Sequence, residues 1–350
     1  MEKYMIGIDV GGTNTVAGLV STQGEIVDKC TFLTQRDMAP EDQRDKAPVY
    51  FDEYMENLYK CIDHLIANMP KDGELAGIGL GAPNANYFNG LIFDAPNLHW
   101  IDRTSGKRQL TCHIVKLIKE HYSSLRIAVA MTNDANAAAM GELYYGGGRS
   151  LVHKDLIEVT LGTGLGSGFI SNGDIVYGHN SFAGELGHIV VVPDGRLCGC
   201  GNSGCLETYG SATGIVRTAN QLLASSKWRD TSKLREIINN QKREISCKDV
   251  GDAANAGDEL ALETLDITAR YIGLGIATAV AITAPKKVFI FGGPTKMGEV
   301  LLKPIRKYFN KFVLNNFRDT EIVFSELPDD AAVMGAAALA ANEVKKLGLD

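Results

Sequence analysis

The sequence of 350 residues has no apolar run long enough to cross a membrane. The closest candidate, Ile272 to Ala284, is short and is interrupted by Gly273 and Gly275. The first residues, M-E-K-Y-M-I-G-I-D-V, lack the long apolar region of a secretory signal peptide. These absences predict a soluble, cytoplasmic protein that does not bind a membrane.

An excess of positive charge is also missing. The sequence has 42 Asp and Glu against 35 Lys and Arg, which gives a net charge of −7. A general nucleic-acid binder normally has a basic face, so we expect no nucleic-acid partner. The hydrophobic share of 45% and the charged share of 22% are typical of a soluble globular protein, and the length allows two domains.

Cysteine is sparse over most of the chain. Four of the seven cysteines are scattered and follow no ligand spacing; they are Cys30, Cys61, Cys112 and Cys247. An odd total without a regular framework is typical of an intracellular protein rather than a disulfide-rich secreted one. We therefore expect these four thiols to be reduced.

The remaining three cysteines lie close together in the segment Ala183–Tyr209. They follow the pattern C-x-C-x4-C, and one histidine precedes the first thiol by ten residues; the four side chains are His188, Cys198, Cys200 and Cys205. A structural Zn2+ takes four such ligands in a tetrahedron with no open position. We therefore predict a zinc ion that holds this loop and, with it, the flanking Glu185 and Glu207.

Two alternatives for this segment stay open. Three cysteines can simply be buried on a loop, because free Cys is often buried. A [2Fe–2S] cluster with one His ligand is a second possibility, although its ligand spacings are different. Closely spaced thiols between glycines fill a core poorly, which favours the metal.

The N-terminal segment predicts a hairpin with a polar tip. Two apolar strands, Tyr4–Val10 and Val16–Val20, are separated by Gly11-Gly12-Thr13-Asn14-Thr15. Such a turn exposes backbone N–H groups that can bind phosphate oxygens, and Asp9 could hold Mg2+ through water. A Gly-Gly hairpin is also common without any function, so this motif alone leaves both interpretations open.

Polar residues mark a second strand end. The β-rich run Arg126–Thr132 leads into Asn133 and Asp134, where an Ala-rich helix begins. Ligand sites in open α/β sheets lie where strands lead into helix N-termini. One of the two side chains could be the N-cap of the helix, but capping does not require both.

The Gly-Thr turn recurs about 150 residues downstream. Ile157–Ile170 has an apolar strand, a turn that contains Thr163 and Gly164, and a second apolar strand. Two such hairpins could bind one polyphosphate from both sides, which predicts a two-lobed architecture. Later, the buried strand Lys287–Phe291 ends at Gly292-Gly293, where a ribose or a flat ring could approach the backbone.

Periodicity and composition predict the other elements. The predicted helices are Pro48–Asn68, Leu110–His121, Ala212–Ser226, Asp258–Ile282 and Asp330–Lys346. The predicted strands are Leu75–Leu80 and Leu91–Phe93. The charged segment Trp228–Glu244 is expected to be surface.

Six motifs together resemble the ROK family (repressor, open reading frame, kinase) of sugar kinases. They are D-V-G-G-T-N at Asp9–Asn14, N-D-A-N at Asn133–Asn136, L-G-T-G-L-G at Leu161–Gly166, E-L-G-H at Glu185–His188, C-G-C-G-N-S-G-C-L-E at Cys198–Glu207 and F-G-G at Phe291–Gly293. The resemblance spans nearly the whole chain. It implies an α/β, actin-like ATPase (ribonuclease H-like) fold with two lobes around a nucleotide and sugar cleft. It also implies ATP-dependent phosphorylation of a hexose by a homodimer or homotetramer.

The resemblance assigns a role to each motif. The implied catalytic base is Asp134, and the implied sugar-hydroxyl ligands are Asn133, Glu185, His188 and Glu207. The implied phosphate and nucleotide ligands are Asp9, Gly11, Gly12, Thr13, Asn14, Thr163, Gly164, Gly292 and Gly293. The implied lobes are residues 1–132 with the helix 330–350, and residues 133–329. ATP, Mg2+ and the structural Zn2+ are the implied cofactors.

The sequence departs from the family at one loop. Family members usually have G-x-P-G after the third strand, where this chain has Gly81-Ala82-Pro83-Asn84. Asn tolerates a positive φ, so we expect the turn to be kept.

Several functions remain open. The stretch C-L-E-T-Y-G-S-A-T-G at Cys205–Gly214 is most similar to the glucokinase branch, which implies transfer to the 6-hydroxyl of glucose. A kinase for N-acetylmannosamine, mannose or fructose is the alternative within the family. The alternatives from other classes are a non-catalytic sugar-sensing regulator and a zinc-stabilised scaffold without activity. No residue before Asp9 forms the DNA-binding extension expected of a family repressor.

Overall fold

The computed structural model describes residues 2–225, 232–328 and 330–349. The strands are β1 (Glu2–Val10), β2 (Asn14–Ser21), β3 (Ile26–Leu33), β4 (Gly73–Gly81), β5 (Ala85–Asn86), β6 (Leu91–Phe93), β7 (Thr111–Cys112), β8 (Ala128–Thr132), β9 (Leu156–Leu161), β10 (Leu165–Ser171), β11 (Asp174–Ile175), β12 (Lys287–Phe291) and β13 (Glu321–Phe324). The helices are α1 (Phe51–Ala67), α2 (Ile114–His121), α3 (Asp134–Tyr145), α4 (Glu207–Gly210), α5 (Ala212–Ala224), α6 (Lys233–Gln241), α7 (Cys247–Asn255), α8 (Glu259–Thr283), α9 (Glu299–Phe312) and α10 (Ala331–Lys346).

Most predicted elements are confirmed, and two need correction. The predicted helix Leu110–His121 is helical only from Ile114, because Thr111 and Cys112 pair with β6 as strand β7. The charged segment Trp228–Glu244 contains α6, whose Leu234 is fully buried, so it is not surface alone. The first part of that segment lies outside the described residues.

The chain divides into two compact units. The first comprises residues 1–150, 175–183 and 326–350, and the second comprises 151–174 and 184–325. The structure thus groups 133–150 with the first unit, whereas the sequence prediction placed this segment in the second lobe. The reason is that α3 packs closely against α10: a methyl group at Gly335 would overlap the carbonyl oxygen of Ala137.

The first unit is built on a mixed five-stranded sheet with the order β3-β2-β1-β4-β8. The hairpin β1–β2 is antiparallel and β3 extends it, while β4 and β8 are parallel to β1. One face is covered by α1 and α2 around an apolar core that includes Tyr54, Leu58 and Trp100. The other face is covered by α10.

The helix α10 lies directly on the sheet because glycines face it. A methyl group on Gly79 of β4 would overlap the carbonyl oxygen of Ala336, and one on Gly7 of β1 would overlap that of Val333. Small residues therefore let the backbones touch, and the Ala-rich face of α10 is fully buried. The last helix of the chain thus completes the unit that its first strand begins.

The second unit repeats the arrangement of hairpin followed by parallel strands. Its sheet has the order β11-β10-β9-β12-β13, with β9 and β10 antiparallel and β12 parallel to both β9 and β13. The short β11 lies where the chain passes between the units. Among the described residues, α8 is the one helix long and apolar enough to cross a membrane by length and composition. More than half of it is buried, and it packs against α5 and α9 as the central core helix.

One prediction about cysteine is wrong. Cys30 and Cys61 form a disulfide, with 5.8 Å between their Cα atoms, rather than two free thiols. The two residues are 31 positions apart and meet because α1 packs against β3. Such a pairing depends on tertiary packing, which spacing along the sequence does not reveal. Cys112 and Cys247 are free, as expected.

Candidate active site and metal cluster

Three neighbouring strands of the first unit end at one edge. In the parallel register, Asp9 of β1 lies opposite Gly81 of β4, and Gly81 lies opposite Thr132 of β8. Asn133 and Asp134 follow Thr132 directly, so they reach the same edge as Asp9. The sheet therefore brings the predicted metal-binding carboxylate and the predicted base together.

The N-terminus of α3 resolves the capping question. The Asn133 Oδ1 accepts a hydrogen bond from the backbone N–H of Asn136 at 2.7 Å, so Asn133 is the N-cap. The Asp134 carboxylate accepts from the adjacent N–H of Ala135, at 2.9 Å, and from its own backbone N–H, so its hydrogen bonds stay local and leave the cap to Asn133. One cap is sufficient, and Asp134 is left available for another role.

Both carboxyl groups at this edge hold protons more tightly than usual. Burial, with a smaller contribution from the Asp134 charge, raises the pKa of Asp9 to about 6. Burial also raises the pKa of Asp134, although its side chain still reaches solvent. Two carboxylates that lack a nearby cation repel each other, and oxygen ligands of this kind suit Mg2+.

The predicted phosphate loop is the turn between β1 and β2. It comprises Gly11, Gly12, Thr13 and Asn14, and the Gly11 N–H donates to the Asn14 carbonyl at 3.0 Å. The Thr13 carbonyl accepts from the N–H of Thr34 at 2.9 Å, which ties the loop to the end of β3. The loop is thus fixed by its own carbonyl groups and by a neighbouring strand.

The second Gly-Thr turn joins β9 to β10 in the second unit. The Glu207 carboxylate at the start of α4 accepts from the N–H of Leu165 at 3.0 Å. A methyl group at Gly164 would lie 2.5 Å from the same carboxylate oxygen, so any larger residue there would displace the Glu207 side chain from this position. This contact joins the turn that carries Thr163 to the loop that carries the cysteines.

A pocket of about 500 Å³ opens beside this turn. It is lined by Gly162, Thr163 and Gly293, by the turn after Gly293, and by one face of α7. Parallel pairing of Phe291 with Thr160 brings the Gly292-Gly293 turn and the Gly162–Gly164 turn to the same sheet edge. The second unit therefore builds the predicted adenosine side and its neighbouring phosphate turn as one concave surface.

Sequence reasoning missed the α7 wall of this pocket. Its lining residues are Cys247, Lys248, Gly251, Asp252 and Asn255, with Lys296 and Met297 on the facing turn. The available signal was the capping box, in which Ser246 accepts from the N–H of Asp249 and the Asp249 carboxylate accepts in return. That signal marks a helix but not the pocket it lines.

The four predicted zinc ligands converge. Their ligand atoms all lie within 4.8 Å of one another, as expected for side chains that bind one metal ion. The Cys198 Sγ lies 3.7 Å from the His188 Nδ1, and the Cys200 Sγ lies 3.6 Å from the Cys205 Sγ. Ligands of a tetrahedral zinc are separated by about 3.5–3.8 Å, given bond lengths of about 2.0 Å to nitrogen and 2.3 Å to sulfur. The donor set fits Zn2+.

The predicted sugar ligands of the second unit surround this cluster. The Glu207 Oε1 lies 3.5 Å from the Cys198 Sγ, and the His188 N–H donates to the carbonyl of Glu185 in a 3-10 turn. Glu185 is exposed and His188 and Glu207 are partly exposed. Asn133, the fourth predicted sugar ligand, belongs to the first unit with Asp134.

The atypical loop keeps its turn. Asn84 has φ of 52°, and its side-chain amide donates to the carbonyl groups of Phe93 and Asp94 at 3.2 Å. This confirms that Asn at this position preserves the turn that Gly would form, and adds two bonds that Gly could not make.

The comparisons with known proteins identify the family of the chain. The family model "ROK family" matches residues 5–343. The chain belongs to the ROK family. Its fold is therefore the predicted actin-like ATPase fold, and its loop of one histidine and three cysteines could hold a zinc ion.

Three relatives of this ROK family chain are informative. A glucokinase of Halalkalibacterium halodurans is 36% identical over 338 residues, which cover 95% of this chain and 94% of the relative. A solved ROK family glucokinase from Streptomyces griseus, in complex with glucose and AMPPNP, is 30% identical with a TM-score of 0.71 and covers 97% and 99% of the two chains. The DNA-binding regulator NagC of Escherichia coli is 34% identical over 247 residues, covering 68% of this chain and 57% of the regulator.

Proposed function

We propose that this chain is a glucokinase that transfers the γ-phosphoryl group of MgATP to the 6-hydroxyl of glucose in the cytoplasm. The observation that carries the proposal is the arrangement at the edge of the first sheet. Asn133 caps α3, which leaves the Asp134 carboxylate beside Asp9 and the phosphate loop. Similarity to glucokinases over nearly the whole chain supports glucose as the acceptor.

Asp134 acts as the general base in this proposal. Phosphoryl transfer depends mainly on positioning and on charge stabilisation, and a base accepts the hydroxyl proton as the oxygen attacks phosphorus. Desolvation by the surrounding protein atoms raises the pKa of Asp134 even though the residue reaches solvent, which makes its carboxylate a stronger base than that of a free aspartate. Asp9 would hold Mg2+ through water, and Mg2+ would neutralise charge on the phosphates.

The second unit supplies nucleotide and sugar ligands. Thr163 and Gly164 would bind phosphate, and Gly292-Gly293 would admit adenosine to the pocket of about 500 Å³. His188 would bind Zn2+ through Nδ1 and offer Nε2 to a sugar hydroxyl, which couples the metal to the substrate. The remaining hydroxyl groups of the sugar would donate hydrogen bonds to Glu185, Glu207 and Asn133. A homodimer or homotetramer is the assembly that we expect.

The decisive experiment measures ADP release with MgATP over glucose, mannose, N-acetylmannosamine, N-acetylglucosamine, fructose and allose. We expect glucose to give the highest kcat/KM. Asp134→Asn keeps the shape and removes the base, so kcat should fall about 10²- to 10⁴-fold while glucose still binds. Near-normal turnover in Asp134→Asn would contradict the role of this residue.

The panel also separates the alternatives. Preference for another sugar would retain the kinase and change its substrate. A folded, zinc-loaded protein that binds sugar but releases no ADP with any member would favour the non-catalytic sugar-sensing regulator. One relative, NagC, is a DNA-binding transcriptional regulator.

A further inference from the structure

Gln35 lies immediately behind the predicted phosphate loop. It follows β3, its side chain is only 2% exposed, and its amide makes three hydrogen bonds. The Nε2 donates to the carbonyl of Gly12 at 2.9 Å and to the carbonyl of Asn97 at 2.6 Å. The Oε1 accepts from the N–H of His99 at 2.5 Å. One buried amide thus joins the loop to a second segment, residues 97–99.

The bond to Gly12 fixes the direction of a peptide group. In a trans peptide the C=O and the following N–H point in opposite directions, and no described peptide bond is cis. Because Gln35 holds the Gly12 carbonyl, the Thr13 N–H points away from Gln35. Within the described part of the chain, no acceptor is found for this N–H, so it remains available for an anion.

The same amide holds Asn97 against the loop. A methyl group on Gly12 would lie 3.2 Å from the Asn97 carbonyl oxygen and 3.6 Å from its Cβ, so the two segments are in contact. The neighbouring Thr34 is fixed independently, since its carbonyl accepts from the Trp100 Nε1 at 2.7 Å. The backbone before Gln35 is therefore fixed by Trp100, and the Gln35 side chain can hold the Gly12 carbonyl in one position.

We propose that Gln35 is a positioning residue that holds the phosphate loop in the geometry required for γ-phosphoryl transfer. It acts through Gly12 and the Thr13 N–H and does not contact substrate. This inference rests on the proposed kinase function and adds a residue that none of the six motifs contains. Without the Gln35 amide, the loop retains its covalent path but loses the bond that sets the direction of its amide group.

The test uses two variants and a matched control. Gln35→Glu keeps the shape and the acceptor for His99, but replaces two N–H donors by oxygen that faces two carbonyl groups. Gln35→Met keeps similar volume and removes all three bonds. The control is Gln109→Glu, because the Gln109 amide also donates to a backbone carbonyl, that of Thr111 at 2.6 Å, and no described hydrogen bond joins its side chain to the phosphate loop.

We expect both Gln35 variants to lower kcat with glucose and MgATP by about tenfold or more, because both lose the hydrogen bonds that hold the carbonyl groups of Gly12 and Asn97. The affinity for AMPPNP should weaken about tenfold by calorimetry, whereas adenosine, which has no phosphate, should bind unchanged. Protonation of the carboxylate that Gln35→Glu introduces restores one donor, so the relative kcat of this variant should rise as the pH falls. Gln109→Glu should match the wild type in all three measurements.

The outcomes separate this inference from the proposed function. Inactivity of the wild-type protein on every sugar would remove the proposed function. An active wild type with kcat and AMPPNP affinity within twofold in both Gln35 variants would overturn the positioning role alone. Equal weakening of AMPPNP and adenosine would also overturn it, because that result indicates general disruption. If the Gln35→Met protein does not give a cooperative thermal melt, Gln35→Glu decides; if neither variant folds, Gln35 is a folding residue and the inference fails.

Discussion

Asp9, the proposed Mg2+ ligand, carries a cost to stability. Its carboxyl group is partly buried beside Asp134, which raises its pKa from 3.8 to about 6. The folded state therefore binds this proton more tightly than the unfolded state does. Well below about pH 4 the group is protonated in both states and adds no cost. Between about pH 4 and 6 the unfolded state releases the proton before the folded state does, so the folded state loses stability over this range, and the cost stays constant at higher pH.

Replacement of Asp9 by Asn should therefore stabilise the metal-free protein. We expect the free energy of unfolding at pH 7.5 to rise by up to about 3 kcal/mol, and this gain should shrink as the pH falls from 6 to 4. Urea unfolding at several pH values measures it. Asp42, an exposed aspartate, provides the control, since Asp42→Asn should not reproduce this gain in stability. A loss of stability in Asp9→Asn at pH 7.5 would contradict this account.

Most candidate site residues could be proposed from the sequence because they lie in short motifs. Asp134, His188 and the three cysteines each lie in a stretch whose residue types have a chemical reason. Gln35 could not be predicted, because a glutamine after a strand has no local signature and its three partners come from other segments. The disulfide between Cys30 and Cys61 escaped prediction for the same reason.

We expect the cysteine loop between β11 and α4 to depend on a bound zinc ion. Cys200→Ser, or a strong chelator, should release His188 and Glu207 from fixed positions. We expect glucose affinity to fall about 10- to 100-fold, the range for lost orienting contacts around a metal, with little change in AMPPNP affinity. Calorimetry with each ligand, before and after zinc is restored, measures this difference.

A thiol outside the loop supplies the comparison. Cys112 is buried in the first unit and takes no part in the cluster, so Cys112→Ser should retain the ratio of glucose to AMPPNP affinity. Equal loss of both affinities in Cys200→Ser would indicate that the metal supports the whole second unit instead of the sugar ligands.

The contact between β4 and α10 tolerates no added volume. A methyl group at Gly79 would overlap the Ala336 carbonyl oxygen of α10, whereas at Gly77, on the same strand face, its closest neighbour would be 3.1 Å away. Gly79→Ala should cost about 1–3 kcal/mol or more in unfolding free energy, and Gly77→Ala clearly less. Thermal unfolding of the two variants tests this, and equal stability would show that α10 can move away from the sheet.

Long strands and helices could be predicted from their apolar patterns, whereas the shortest ones could not. The strands β1, β4, β9 and β12 and the helix α8 have strong apolar patterns. The strand β7 has two residues and forms because it pairs with β6. The local sequence gives no sign of this pairing, and the helical pattern of the following residues therefore predicted a helix that begins too early. The helix α7 is recognisable from its capping box, but its contribution to a pocket depends on the turn after Gly293 that faces it.

The whole first unit depends on the C-terminal segment. Its sheet is formed by strands before residue 133, whereas the α10 that covers one face begins at Ala331. A chain that ends at Pro328 should leave that face exposed. Hydrogen exchange is expected to show loss of protection in β1 and β4 and continued protection in β9 and β12. Protection of β1 and β4 equal to that of the full chain would contradict this dependence.

This order of elements has a consequence for synthesis on the ribosome. The strands of the first sheet leave the ribosome well before the helix that covers them, because the second unit lies between β8 and α10 along the chain. At about 5–20 residues per second, the growing chain carries an uncovered apolar face for on the order of ten seconds or more while the second unit is produced. We therefore expect the framework of the first phosphate loop, and with it the ability to consume ATP, to form only after α10 has been made.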